Sequence, residues 1–403
     1  MNAVGIDVSK GKSMVAIMRP LGEVVTLPFE VAHTVDGLKG LVSHIQALNG
    51  DTRVVMEYTG TYYQPVAQAL HEAGIFVSVV HAKLIADFGN NTIRKVKTDK
   101  KDALKIAQYG LTHWGKLTRY TPETQTRQLL LAHNREYHQY QRMRTQMKNH
   151  LIALLDRTFP GVNTFFTSPI RTDGSQKWLD FARSFWHCEC VCGASRRAFE
   201  LRYQKWCANH GYKYSQLKAQ SVYNHACRLI GVLPRCDSTK LLIQQAIVQI
   251  DSLGASQMAV LAEMQRLSAM LPETPVVLAM RGVGNTLAPQ LIAEIGNVLR
   301  FDRKQSLVAF AGLDAPPYQS GQFESQNRRI SKKGSPHLRR ALFQVMSMLL
   351  RLSRQDDTVY CFLDRKRAEG KKFRVYMAAA SAKFLRIYYA RVKEFLLSQE
   401  QFA

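Results

Sequence analysis

The chain has 403 residues, more than one hydrophobic core usually holds, so two or three domains are expected. Hydrophobic residues at 46% and charged residues at 21% are those of an ordinary globular protein and exclude extensive disorder, while 55 Lys and Arg against 31 Asp and Glu leave a formal +24 that calls for a polyanionic partner, nucleic acid first. No apolar run approaches the roughly 18 residues of a membrane-spanning helix, residues 1–12 lack the pattern of a secretory signal, and seven cysteines in such a chain argue against a disulfide framework; a cytoplasmic protein without a membrane partner is expected.

Residues 3–6, 13–18 and 24–29 are short β-type runs separated by the turn residues Gly11 and Gly22, and they predict a meander. A helical stretch over 35–48, a strand at 53–56, a helix over 64–73 and a strand at 76–80 follow, so a mixed, partly parallel α/β domain is expected over 1–118. From 124 to 155 the chain becomes a long polar helix in which Leu130, His133, Tyr137, Tyr140, Arg144, Met147, Leu151 and Leu154 alternate at spacings of three and four, as in a coiled-coil seam. Pro160 and Gly161 end it, and a second helical run over 239–270 carries Ile247, Ile250, Leu261 and Met264 on one side. The two are expected to pack antiparallel in a central region, 119–273, as a dimerising coiled coil or as two helices of a bundle. Between them, 162–236 is aromatic and basic without a nameable period. His187, Cys188, Cys190 and Cys192 lie there, but zinc sites pair cysteines at other spacings, and Cys207 with His210 is the only nearby substitute; ordinary thiols are expected. After Pro272 a glycine-punctuated, mainly helical segment, 274–403, includes apolar helices over 338–352 and 375–397.

Four acids stand out. Asp7 closes the first apolar run in Gly5-Ile6-Asp7-Val8-Ser9-Lys10, and Glu57 closes the strand at 53–56 in Met56-Glu57-Tyr58-Thr59-Gly60. Asp99 and Asp102, in Lys97-Thr98-Asp99-Lys100-Lys101-Asp102-Ala103, are three apart and share one face of the helix they open. A cluster of three or four oxygen ligands suits one or two hard divalent cations, Mg²⁺ (or Mn²⁺), and paired ions clamp the attacking and leaving oxygens of a phosphodiester. Arg94, Lys95, Lys97, Lys100 and Lys101 flank these acids as contacts for a nucleic-acid backbone. Each acid taken singly has a plainer role as turn former or helix cap.

The succession Gly-Ile-Asp-Val-Ser-Lys, Met-Glu-Tyr-Thr-Gly and Lys-Thr-Asp-Lys-Lys-Asp-Ala resembles the DEDD signature of the IS110 family of insertion-sequence transposases. That resemblance implies an N-terminal domain similar to the RuvC resolvase, with a ribonuclease-H-like fold, and a catalytic, metal-binding tetrad of Asp7, Glu57, Asp99 and Asp102.

Toward the C-terminus, Gly282 and Gly284 precede a helical run over 287–295, a place where backbone N–H groups approach a phosphate or simply a tight turn. From 328 to 374 there are 14 Lys and Arg against 4 Asp and Glu, so Arg328, Arg329, Lys332, Lys333, Arg339 and Arg340 are expected nucleic-acid contacts. Ser320, in Gln319-Ser320-Gly321, is on its own merits a turn serine. The resemblance of 275–350 to the family's C-terminal transposase domain makes it the candidate nucleophile, with Gln319 in place of the first serine of the family's frequent Ser-Ser-Gly form. The resemblance further implies donor and target DNA, a structured guide RNA encoded beside the gene, and a homodimer assembling to a tetramer. A related pilin-type DNA invertase, a plain metal-dependent nuclease and a non-catalytic nucleic-acid-binding protein are the alternatives.

Overall fold

The computed structural model describes residues 1–58, 60–88, 98–167, 171, 174–317, 319–320, 323–324 and 328–402, with the backbone alone at 319, 320, 323, 324, 400 and 402. It falls into two compact units, Met1–Pro122 and Glu123–Ala403.

In the first unit β1 (Asn2–Val8), β2 (Lys12–Met18) and β3 (Val24–Ala32) form the expected antiparallel meander. There follow α1 (Val35–Gln46), β4 (Thr52–Glu57), α2 (Tyr63–Glu72), β5 (Phe76–Val80), α3 (Ala82–Phe88) and α4 (Asp99–Thr112). The sheet order is β3-β2-β1-β4-β5, with β1, β4 and β5 parallel to one another. Period-two alternation divides its faces: Val4, Ile6, Val54 and Met56 pack with Leu41, Val66 and Leu70 on one side. On the other side Val55 packs with Ile106 and Tyr109, and Ala3 with Ala107. Fully burying each such aliphatic side chain contributes about 1.5–3 kcal/mol.

Gly5 seats α4 on this second face. A Cβ there would stand 2.2 Å from the Ala103 carbonyl oxygen and 2.3 Å from the Ala107 nitrogen, so only glycine admits the helix backbone at this depth. Gly110, farther along α4, lies against Val55 and Ala3. The helix therefore runs antiparallel to β1, with its first turn toward the strand's C-terminal end.

The second unit is mainly helical, built on α5 (Gln125–Leu155), α6 (Lys177–Ser184), α7 (Glu189–Cys192), α8 (Arg196–Asn209), α9 (Gln216–Ala226), α10 (Asp237–Ala269), α11 (Thr274–Leu278), α12 (Leu287–Ile295), α13 (Lys304–Phe310), α14 (Pro336–Leu352), α15 (Thr358–Ala368) and α16 (Phe373–Phe402). α5 and α10 pack antiparallel: Arg144 lies against Gly254, and Leu151 and Leu155 share a core with Ile243 and Ile247. The buried residues of α5 depart from the expected seam. They include Arg127, Asn134 and His138, because this helix also packs against α12 and joins Glu273 and Glu294 through polar side chains.

The stretch without a readable period is α6 to α9, helices of 4 to 14 residues around an aromatic core of Phe159, Phe181, Phe185, Phe199, Tyr203 and Trp206. Cys188, Cys190 and Cys207 are buried there as free thiols. His187 accepts from the Glu189 N–H at Nδ1 (3.1 Å) and donates from Nε2 to the Leu233 carbonyl (3.0 Å), so both ring nitrogens are engaged. Among the described residues no helix is long and apolar enough to cross a membrane.

Candidate active site and nucleic-acid interface

The β1–β4 register pairs Ile6 with Met56, which makes Asp7 and Glu57 the next residues on adjacent parallel strands. Since Ile6 and Met56 face α1 and α2, Asp7 and Glu57 face the α4 side, both half-buried. From Ala103, over Gly5, the helix climbs back four residues to Asp99, about 6 Å at helical rise; from Gly5 to Asp7 the strand advances about 7 Å. The four expected acids thus come to the same end of one sheet face. Lys12 marks this corner independently: beyond its 2.7 Å ion pair with Glu30, the nearby Asp99 carboxylate also helps hold its ammonium charged.

Thr98 caps α4, its hydroxyl oxygen accepting from the Lys101 N–H at 3.3 Å, and frees Asp99 and Asp102 from that duty. Both acids lie in the first turn, where the helix dipole favours negative charge. An oxygen-only donor set fits a hard divalent cation. Among the described residues, however, no three His, Cys, Asp or Glu side chains are gathered closely enough to hold a metal ion. Lys100 and Lys101 are exposed beside the acids, while Lys97, with Arg94 and Lys95, lies outside the described residues.

In the second unit Ser320 is placed by its backbone: β6 (Gln319–Ser320) pairs antiparallel with β7 (Phe323–Glu324). The chain entering and leaving this hairpin is tied at its base, where N–H groups of Ser331, Lys332 and Ser335 donate to the carbonyls of Asp314, Gly312 and Phe310 at 2.8–3.0 Å. Gly334 permits the crossing, since a Cβ there would meet the Phe310 oxygen at 2.2 Å. Arg339 closes the base, its Nη1 donating to the carbonyls of Ala311 (2.9 Å) and Gly334 (3.2 Å). Of the other expected contacts, Arg328, Arg329, Lys332, Lys333 and Arg340 are exposed. Gly282 turns at φ 77° against Leu349, and Gly284 has open space around it ahead of α12.

Two groups went unnoticed in the sequence. Glu294, almost fully buried, accepts from Asn134 (2.6 Å), Arg135 (3.1 Å) and Ser335 (2.7 Å), tying α5, α12 and the cap of α14 together. His138 is buried with its ring 5.1 Å from that of His337, and burial with the positive field of Arg340 and Arg135 lowers both imidazoles to about 4. No periodic signal marks either, because both serve contacts across α5, α12 and α14.

Two family profiles match the chain: a DEDD IS110 profile described as "Transposase" over residues 4–160, and "Transposase IS116/IS110/IS902 family" over residues 275–361. The chain is 20% identical over 361 residues to the pilin gene-inverting protein of Moraxella bovis, spanning 89% of this chain and 86% of that protein. It is 22% identical over 373 residues to the insertion element IS110 uncharacterized 43.6 kDa protein of Streptomyces coelicolor, spanning 91% and 88%. Over 80 residues, 20% of either chain, it is 36% identical to the putative transposase y4rJ of Sinorhizobium fredii. Among solved structures, RuvC of T. thermophilus in complex with a Holliday junction substrate aligns with 30% of this chain and 99% of its own, at a TM-score of 0.24 and 13% identity.

Proposed function

Because the chain belongs to the IS110 family of insertion-sequence transposases, DNA-cleaving and DNA-rejoining enzymes related to the pilin gene-inverting proteins, we propose that it cuts and rejoins strands at the ends of a mobile element with the acids of its first unit and the serine of its second. The observation that carries this reading is the carboxylate edge: Asp7 and Glu57 in register on parallel strands, and Asp99 and Asp102 in the first turn of the helix laid over them.

In this reading Asp7, Glu57, Asp99 and Asp102 hold Mg²⁺ or Mn²⁺. The ion, when bound, supplies positive charge that stabilises the oxygens around a phosphodiester under attack. Lys100 and Lys101 hold the strand beside them. The Ser320 hydroxyl gives up its proton and its oxygen bonds to phosphorus, while the bond from phosphorus to a deoxyribose oxygen breaks and that oxygen takes up a proton. Attack by a deoxyribose hydroxyl on the serine ester reverses the exchange and rejoins a strand. Arg328, Arg329, Lys332, Lys333, Arg340 and the turn at Gly282 and Gly284 follow the backbone. We keep the division into a catalytic domain (1–118), a coiled-coil region (119–273) and a C-terminal transposase domain (274–403) as part of the proposal, together with a homodimer that assembles to a tetramer.

A guide RNA is the further partner. Contacts to ten phosphates would use fewer than half of the net 24 positive charges, leaving room for a second nucleic acid. The invertase reading has its own support in the pilin gene-inverting relative, which matches over nearly the same length as the insertion-element protein.

The test is recombination of a plasmid carrying the gene with its native flanks. Asp7→Ala combined with Glu57→Ala is expected to abolish recombination with nucleic-acid binding retained, and Ser320→Ala to remove the covalent protein–DNA adduct on denaturing gels. Full activity of the double variant, or an undiminished adduct in S320A, sinks the corresponding assignment. RNA retained through a high-salt wash should map to the flanking DNA; recombination that survives RNase treatment would leave a protein-only invertase or transposase.

A further inference from the structure

Within the second unit α15 and α16 cross with a space between them. On α16 the residues facing this space are Ala379, Ala382, Lys383, Arg386 and Ile387, the i, i+3, i+4, i+7, i+8 spacing of one helix face. Larger residues at 379 and 382 would fill the crossing as helix ridges fill grooves. Two alanines leave instead a cleft of about 570 Å³, closed on the other side by Phe362 and Arg365 of α15.

The lining divides into two chemistries. Phe362, the two alanines and Ile387 make an apolar floor, and Arg365, Lys383 and Arg386 stand around it with no carboxylate in the lining. Two of these cations lie against the ring: Lys383 Nζ is 4.8 Å and the Arg365 guanidinium carbon 5.4 Å from the Phe362 centroid. Nearby, Glu369 pairs with Lys366 at 2.7 Å and also lies in the field of Arg365, so Lys383 and Arg386 carry most of the cleft's positive charge. An apolar floor alone would suit any greasy segment, and cations alone any polyanion. Together they suit a ligand with a flat apolar face and a phosphate at each end, an unpaired nucleotide within a strand.

We propose that this cleft is a binding site for single-stranded nucleic acid, one base lying on the Phe362, Ala382 and Ile387 floor and the adjoining phosphates on Lys383, Arg386 and Arg365. The proposal rests on the reading of the chain as a recombinase only in expecting unpaired strands near it. Duplex DNA keeps its bases stacked inside and presents no such face, so the site discriminates against it.

The full-length protein is titrated by fluorescence anisotropy with labelled single-stranded DNA and RNA dodecamers and with a duplex of the same sequence. Ala382→Phe fills the cleft and leaves every charge in place. It is expected to weaken single-strand binding on the order of tenfold and to leave duplex binding unchanged, as loss of one stacked base would. Lys383→Gln with Arg386→Gln removes two phosphate contacts from partly or fully exposed positions and is expected to shallow the single-strand salt dependence by about 1.4 in the log–log slope. The DNA and RNA arms tell which strand the site prefers. Unchanged single-strand affinity in A382F, checked for folding by circular dichroism, overturns the proposal. Should A382F not fold, equal weakening of single strand and duplex in the glutamine variant overturns it instead. Loss of recombination with the single-strand discrimination intact would count against the recombinase reading and not against the cleft.

Discussion

At the carboxylate edge each acid is placed by backbone, Asp7 and Glu57 through the β1–β4 register and Asp99 and Asp102 through the seating of α4 on Gly5, whereas the Ser320 hairpin hangs from a base tied by loop hydrogen bonds and by the side chain of Arg339. A strand register moves only in whole residues, and a slip of one turns every side chain to the other face. A loop tied by a few contacts has no such step. The described flanks at 310–314 and 331–335 are held by those contacts, so the serine segment should respond to surface chemistry and pH where the carboxylate edge responds to core packing.

Breaking the backbone route should have the largest effect. Gly5→Val puts a branched side chain where a Cβ already stands 2.2 Å from one backbone atom of α4 and 2.3 Å from another, and neither can swing aside as a side chain would. The cost is expected at the upper end of overpacking, about 3 kcal/mol or more. Amide hydrogens of β1 and α4 should lose exchange protection while those of α14 keep it, and recombination should vanish with all four acids present. Unchanged protection and activity would show that α4 does not depend on Gly5.

The same contrast explains what the sequence disclosed. Strands β1 to β5 were legible by residue pattern, as short apolar runs between turn residues, with Asp7 and Glu57 closing two of them and Asp99 opening the helix read after Thr98. Approach of α4 to the sheet was not legible, since Gly5 inside a strand reads equally as a weak point or a bulge. In the second unit α12 and the long pair α5 and α10 were legible as helical runs. The helices from α6 to α9 were not, because they are short and hold together through ring contacts such as Phe181 with Trp206 at 5.6 Å rather than through a repeated stripe. Polar ties such as Glu294 with Asn134, 160 residues apart, leave no local mark at all.

A smaller effect should appear at the start of α14, just beyond the tied base of the serine loop. His138 and His337 are held down to about 4, first by burial and then by neighbouring arginines, while free imidazoles protonate near 6.5. Between these values the unfolded chain binds protons that the folded chain refuses, so stability is complete above pH 6.5 and falls as the pH drops toward 4. The loss should be about 1–3 kcal/mol for the pair, with His337, the more exposed ring, contributing less. Urea midpoints at pH 7.5, 6 and 5 measure it, and His138→Gln should flatten the profile. A flat profile in the unmodified protein would mean that the imidazoles are not protected from protons as their surroundings require.

The smallest effect belongs to Arg339. It lies in the basic stretch expected to hold nucleic acid, yet its Nη1 donates to two carbonyls at the base of the serine loop, and its guanidinium is only partly exposed. Those two roles predict different losses. A phosphate contact, when removed, weakens binding to every sequence and shallows the salt dependence by about one unit of slope. An anchor, when removed, leaves affinity alone, costs about 1 kcal/mol for the hydrogen bonds lost, and loosens the loop it ties. Arg339→Ala should therefore bind DNA with the salt slope of the unmodified protein while forming the Ser320 adduct about tenfold more slowly, as expected when a reacting group loses its alignment. Arg340→Ala, one residue along and exposed, should do the reverse, shallowing the salt slope and sparing the adduct rate of bound complexes. If Arg339→Ala instead shallowed the slope with no change in adduct rate, the serine loop would hold its place by backbone alone, and the two regions would be built in the same way after all.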